Sequence, residues 1–336
     1  MKSICKAVFL MIVAIAVLSC QKEEGSVDEW NWEFLGKPMG DSEVYTITIH
    51  PEDDGLWFVT SGRGIYVTRN GGSSWENHFT GFTPALEIDP NDPSSIFVGS
   101  ETEMYLSIDY GQNWRHISSF QKYIQSILIS EIDNSVYVGL RWEDSEIANG
   151  IFKSNDMGET WVHYSYNVDA KGLIPWDIEE DSENQKLYIA TEIYDHPQPY
   201  HPPFLRSSDG GITWEDISGS LPWHAIKIQV HPLTHDVYVL TEGPGLYYSS
   251  DFGDHWQYLG NQFWLEFIID QNNPQRFWGG NHTSNQSSGG VFLSNDGGNN
   301  FEFIGLYGHI VSSLCLDGNS ASLYVASYGS GIFILK

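Results

Sequence analysis

Six segments of the 336-residue chain share one pattern, Ser/Thr-x-Asp/Asn-x-Gly-x-x-Trp/Phe. They run Thr68–Trp75, Ser107–Trp114, Ser154–Trp161, Ser207–Trp214, Ser249–Trp256 and Ser294–Phe301, with Asn70, Asp109, Asp156, Asp209, Asp251 and Asp296 at the third position. Successive Asp/Asn positions lie 39 to 53 residues apart, the length of a repeated four-stranded sheet. The residue types suit a hairpin turn. The Asp or Asn side chain bonds backbone amides of its own turn. The Gly takes a left-handed backbone at low cost, and the aromatic opens the next strand and packs inward. These carboxylates are therefore read as structural rather than as catalytic groups or metal ligands.

Short apolar runs between the segments complete each unit. Around the first segment, Val44–His50, Leu56–Thr60 and Gly64–Thr68 read as strands A, B and C, and Trp75 begins strand D. A and B strands recur at Ala85–Asp89 with Ile96–Gly99, Ile124–Ile129 with Val136–Leu140, and Trp176–Ile178 with Leu187–Ala190. They recur again at Ile226–Val230 with Val237–Leu240 and at Leu265–Asp270 with Arg276–Gly279. A seventh set, Ile310–Leu316, Leu323–Ala326 and Gly331–Leu335, lacks a D strand before the chain stops at Lys336. Trp32-Glu-Phe-Leu-Gly36 matches Phe301-Glu-Phe-Ile-Gly305, a D strand. The expectation is an all-β, seven-bladed β-propeller of four-stranded blades over residues 29–336. Residues 30–36 complete blade 7, so the closed ring leaves no free sheet edge.

The first residues read differently. Lys2 and Lys6 flank the start of an apolar run, Ala7–Leu18, followed by Val17-Leu18-Ser19-Cys20. The run suits a signal peptide and is short for a membrane span. Its end resembles a lipobox, which implies a leader over residues 1–19, lipid on Cys20 and a tether over 20–28. Gln21-Lys22-Glu23-Glu24 resembles the export signal of surface lipoproteins in Bacteroidota-type bacteria. The expected location is the outer membrane, surface-exposed or otherwise facing the periplasm, with membrane contact only through the lipid. Cys315 is then the one remaining cysteine of the mature chain, expected to be a buried strand residue.

A net charge of −28 repels nucleic acid and anionic membranes, and neither is expected as a partner. In a propeller the repeated turns and A–B loops share one face, while the B–C and D–A loops surround the channel on the other. That second face gathers aromatic, histidine and carboxylate residues. Arg63, Arg141, Trp142, Tyr194, His196, His201, Trp223, His224, Trp264, His282, Tyr307 and His309 are the candidate ligand-binding residues. Trp and Tyr there suit stacking on sugar rings. Asp195, Glu143 and Glu242 are the candidate catalytic carboxylates, since glycosidases use two across the substrate. The histidine spacing matches no metal motif, and no metal or cofactor is expected.

The repeats resemble the Asp-box, or BNR, superfamily over most of residues 29–336. Its members include sialidases, family 74 xyloglucanases, sortilin-type receptors and photosystem II assembly factors. The resemblance implies the fold and leaves the activity open. Sialidases carry Arg-Ile-Pro and an arginine triad. This chain has no Arg-Ile-Pro and six arginines in all. The xyloglucanases pair two propellers and carry Thr-Asp-x-Gly-Gly with a catalytic Asp; the matching turn here is Thr60-Ser61-Gly62-Arg63-Gly64. Three functions follow as expectations for a monomer. One is a glycan-binding module. One is a glycoside hydrolase or polysaccharide lyase. The third is a scaffold for another envelope protein.

Overall fold

The computed structural model describes residues 30–38, 44–141, 150–166, 173–193, 202–243, 245–260, 264–281, 289–318 and 322–336. Regular structure among them is all strand, in seven four-stranded antiparallel sheets. Six sheets follow chain order. The seventh pairs Trp32–Gly36 with Gly331–Leu335, then Leu323–Ser327 and Val311–Leu316. The ring therefore closes as expected, with Trp32 opposite Leu335 and Phe34 opposite Phe333. The closing strand is held from both sides. Lys336 Nζ sits 2.7 Å from Glu33 Oε2, and Trp32 Nε1 donates to the Ile304 carbonyl of the neighbouring blade at 2.9 Å.

Each strand's burial follows from its place in the blade. The second strands Ile96–Ser100, Val237–Thr241 and Leu323–Ser327 are buried at every residue, because they have neighbours on both edges and both faces. The fourth strands are edge strands with mostly exposed side chains, as in Glu76–Asn77 and Val162–Ser165. Apolar side chains fill the gaps between blades. Phe97, Met104 and Ile124 lie in one such cluster, and Trp57, Tyr324 and Ile332 join blade 7 to blade 1 in another. Each fully buried aliphatic or Phe side chain contributes about 1.5–3 kcal/mol. Adjacent blades also approach closely at second-strand glycines. A Cβ on Gly139 would stand 2.4 Å from Pro175 Cγ and from Ser126 Oγ.

The six turns repeat one hydrogen-bond set. The Ser or Thr hydroxyl donates to the Asp/Asn Oδ1 at 2.7–2.9 Å and accepts from the Gly amide at 2.7–3.0 Å. Oδ1 also accepts from the amide four residues on at 2.8–2.9 Å. A bond from His255 and another from Ser249 hold the Asp251 carboxyl down at about 2. These acids are occupied as turn caps. Two details differ from the sequence reading. The aromatic stands one residue before the fourth strand instead of opening it. The residue before the Gly also has positive φ, even as Tyr110, Met157 and Phe252.

Some strand limits also move. The inner strand of blade 4 runs Leu173–Asp181, longer than Trp176–Ile178, because Pro175 is accommodated at a bulge and does not end the strand. Blade 6 uses Trp264–Ile269 and Phe277–Asn281. Asp270 and Arg276 leave the strands to close the turn, the Asp270 amide donating to the Arg276 carbonyl at 2.9 Å. Cys315 lies in strand Val311–Leu316, largely buried, and packs beside the blade 7–blade 1 cluster.

Candidate functional site

The first strand of each blade lines the axis. Six of the seven carry a bulge at the same register position against their second strands, near the D–A end. A bulge re-aims one side chain. Here it carries Tyr45, Gln125, Trp176, Ile226 and Ser312 to the wall of a cavity of about 790 Å³. Trp176 keeps 41% of its surface exposed there.

Cross-strand register sorts the residues below the bulges into layers. Asp177, Lys227 and Glu266 pair with Ala190, Leu240 and Gly280, which occupy equivalent places in blades 4, 5 and 6. Lys227 Nζ lies 3.7 Å from Asp177 Oδ1 and 3.7 Å from Glu266 Oε1. Asp177 Oδ2 also accepts from the Ile228 amide at 2.8 Å. One ammonium thus ties three blades together. Two residues further along the strands, Glu87 and Glu179 face the same cavity. Strand geometry sets them about 6–7 Å deeper. Burial pushes the carboxyls of Glu87 and Glu179 up to about 8 and that of Glu266 to about 7, with Lys227 opposing each. Burial lowers the proton affinity of Lys227, but the four surrounding carboxylates outweigh it and the net shift is upward.

The rim is built by equivalent positions at the ends of the second strands, two residues beyond Gly139, Ala190 and Leu240. In blades 3, 4 and 5 these are Arg141, Glu192 and Glu242, all on the cavity wall. His224 reaches the same wall, its Nε2 3.5 Å from Glu242 Oε2. Burial and the Glu242 charge raise the Glu192 carboxyl, and Arg141 opposes them. Glu242 is exposed. Two carboxyls in unlike surroundings therefore stand at one opening.

The candidates from sequence divide three ways. Arg141, His224 and Glu242 meet at the cavity. Arg63, Trp223, Tyr307 and His309 do not line it. Arg63 lies exposed in its turn, Trp223 lies flat against Gly243, Tyr307 packs on Phe303, and His309 on Phe333. Trp264 opens the inner strand of blade 6, but its side chain is outside the described residues, as are Asp195, Glu143, Trp142, Tyr194, His196, His201, His282 and Cys20. Sequence reading missed Trp176, Glu192 and the five charged channel residues. Aligning Thr191-Glu192 with Thr241-Glu242 would have found Glu192. Among the described residues, no three His, Cys, Asp or Glu side chains are grouped to hold a metal ion.

Solved structures share the fold. A family 74 xyloglucanase from Xanthomonas campestris superposes with a TM-score of 0.71 over 90% of this chain and 53% of that one, at 14% identity. YCF48 bound to D1 peptide matches with a TM-score of 0.68 over 91% and 97%, also at 14% identity. The chain therefore shares the β-propeller fold of these proteins. No protein-family model matches this propeller. Among curated relatives, a Paenibacillus xyloglucanase is 22% identical over 66% of the chain, and the xyloglucanase Xgh74A of Acetivibrio thermocellus 24% over 52%. The matched part is 22% and 24% of those proteins' lengths.

Proposed function

We propose that this propeller captures and processes a polysaccharide at the mouth of its channel. The observation that carries the reading is the placing of Trp176 on one wall of the cavity that Arg141, Glu192, His224 and Glu242 border. An indole face stacks on a pyranose ring, and the rim groups bond its hydroxyls. Glu192, more reluctant to ionise, fits the acid that protonates a glycosidic oxygen. Glu242, exposed to water, fits the second carboxyl of such a pair. The xyloglucanases among the relatives support a polysaccharide as the substrate class.

The test is a glycan array with the purified chain, with products followed by mass spectrometry. Trp176→Ala should abolish retention while the fold holds. Glu192→Gln and Glu242→Gln should abolish cleavage while retention survives. Retention without products in the parent protein would reduce the site to a capture module. No retention of any saccharide would refute the reading.

A protein scaffold is the second reading, favoured by one observation. YCF48 is matched over 97% of its length by this single ring. Its face would then hold a peptide, and pull-downs would return a protein partner with no glycan affinity. In either case we propose export to the outer membrane through lipid on Cys20, resting on Val17–Cys20 and Gln21–Glu24.

A further inference from the structure

The outer end of each seam between blades is built alike. The third residue after the turn aromatic of one blade meets the turn aromatic of the next. Ile117 shares an apolar cluster with Trp161, Tyr164 with Trp214, Ile217 with Trp256, Leu259 with Phe301 and Leu35 with Trp75. Trp32 bonds the carbonyl of Ile304 in the same way. Between blades 1 and 2 that place is taken by His78, whose ring lies 6.5 Å from that of Trp114. Five of the seven residues at the place are aliphatic and one is Tyr. His78 is the one that takes a proton near neutral pH.

The exchange strands two polar atoms. Nε2 of His78 and Nε1 of Trp114 are closed off from solvent, and neither has a hydrogen-bond partner among the described residues. The five other tryptophans at the equivalent position all donate, to the carbonyls of Gly72, Gly158, Gly211, Ile217 and Ile304. Glu76 Oε2 stands 3.6 Å from His78 Nε2, beyond hydrogen-bonding range. Its side chain is 74% exposed, so water and salt screen its charge. Arg69, in the turn after strand Gly64–Thr68, opposes a second positive charge there. Burial holds the proton affinity of His78 below its ordinary value; Glu76 works against this and Arg69 with it. An unpaired buried polar atom weakens a seam even when neutral, and an unpaired buried charge weakens it far more.

We propose that the seam between blades 1 and 2 is an acid-sensitive latch, shut while His78 is neutral and opened at its outer end when His78 takes a proton. Opening lets water reach both stranded nitrogens. The seam continues to the cavity wall, where Tyr45 of blade 1 packs on Phe82 of blade 2 at 5.5 Å. A loosened seam therefore loosens one side of the mouth, whatever the mouth binds. His78 holds its proton less readily in the closed seam than in the unfolded chain, where 6.5 is its ordinary value. Closure is thus favoured above pH 6.5 and loses that advantage as pH falls below it.

The experiment is hydrogen–deuterium exchange on the full chain at pH 7.5 and 5.5, corrected for the intrinsic pH dependence of exchange and read by mass spectrometry. The His78 amide donates to the Ile65 carbonyl at 3.0 Å. Peptides holding it and residues 114–117 should lose at least tenfold protection at pH 5.5. Residues 215–218 and 256–259, at the same seam position between blades 4 and 5, should keep theirs. The variant His78→Leu, which copies Leu35 and Leu259, should be equally protected at both pH values. Equal protection at both pH values in the parent overturns the latch, as does an equal loss at both seams or a loss that persists in His78→Leu. A His78 ring resonance that titrates above pH 6.5 while the seam stays protected also overturns it, since Glu76 would then hold the cation in a closed seam. The parent chain alone can refute the latch, so a variant that fails to fold does not shield it.

Discussion

Replacing Glu179 by Gln should make the propeller more stable in alkali and leave it unchanged in acid. Glu179 faces the channel from the inner strand of blade 4, and burial, then the charge of Asp177, hold its carboxyl at about 8 instead of 4.5. Between those values the folded chain keeps a proton that the unfolded chain has released. Stability therefore falls as pH rises through that window and levels off above it. From 4.5 to 8 is about 3.5 pH units at about 1.4 kcal/mol each, a ceiling of about 5 kcal/mol. The channel admits water, and Lys227 opposes the shift, so an effect of about 2 kcal/mol is expected. Gln has the same shape and does not titrate. Urea denaturation followed by Trp fluorescence at pH 5, 6, 7, 8 and 8.5 reads the difference. At pH 5 parent and variant should agree within about 0.5 kcal/mol. At pH 8.5 the variant should lead by about 2 kcal/mol, roughly 4 °C in Tm. A difference that stays constant with pH, or a variant less stable at pH 8.5, would refute the account of the channel carboxyls.

Other substitutions test the turns, the closure and the anchor. Ser207→Ala strands the Gly211 amide, which now donates to the Ser207 hydroxyl at 2.9 Å, and should cost about 1–3 kcal/mol by chemical denaturation. Trp32→Ala removes the bond to the Ile304 carbonyl and the indole against Gly305, and should lower Tm by several degrees in calorimetry; an unchanged Tm would argue against the closing strand as a structural clasp. Gly139→Ala forces a methyl against Pro175 and Ser126 and should cost about 1–3 kcal/mol in the same assay. Cys20→Ala should abolish labelling by a palmitate analogue and release the chain from the membrane fraction; labelling that persists would sink the lipid assignment.

The ring was legible in the sequence because its turns are local. Ser107, Asp109 and Gly111 bond one another within five residues, so their chemistry shows at fixed spacing whatever surrounds them. The closing strand was legible for a similar reason, since Trp32–Gly36 repeats Phe301–Gly305. The rim was half legible. Glu242 and His224 stand in loops, where polar and aromatic residues suggest binding. Trp223 and Tyr307 carry the same suggestion, yet one lies on Gly243 and the other on Phe303. Loop composition does not say which way a ring turns.

The channel charges were hidden by a different cause. In Ala85-Leu-Glu-Ile88 and Trp176-Asp-Ile-Glu179 the polar residues alternate with apolar ones, and alternation reads as one face in the core and one in water. That reading is right about the alternation and incomplete about the water. In an open sheet the polar face meets bulk solvent, and Glu87 would be an ordinary surface acid. When seven sheets close, the polar faces of their first strands meet one another across the axis. The same residue then stands in a narrow enclosure beside Lys227 and Asp177. Its chemistry is set by side chains more than 80 residues away in sequence, which no local pattern records. A propeller's inner strands should therefore be read in register, blade against blade. The layer of Asp177, Lys227 and Glu266 becomes visible once Ala190, Leu240 and Gly280 are aligned. That alignment needs only the second strands, which the sequence marks plainly.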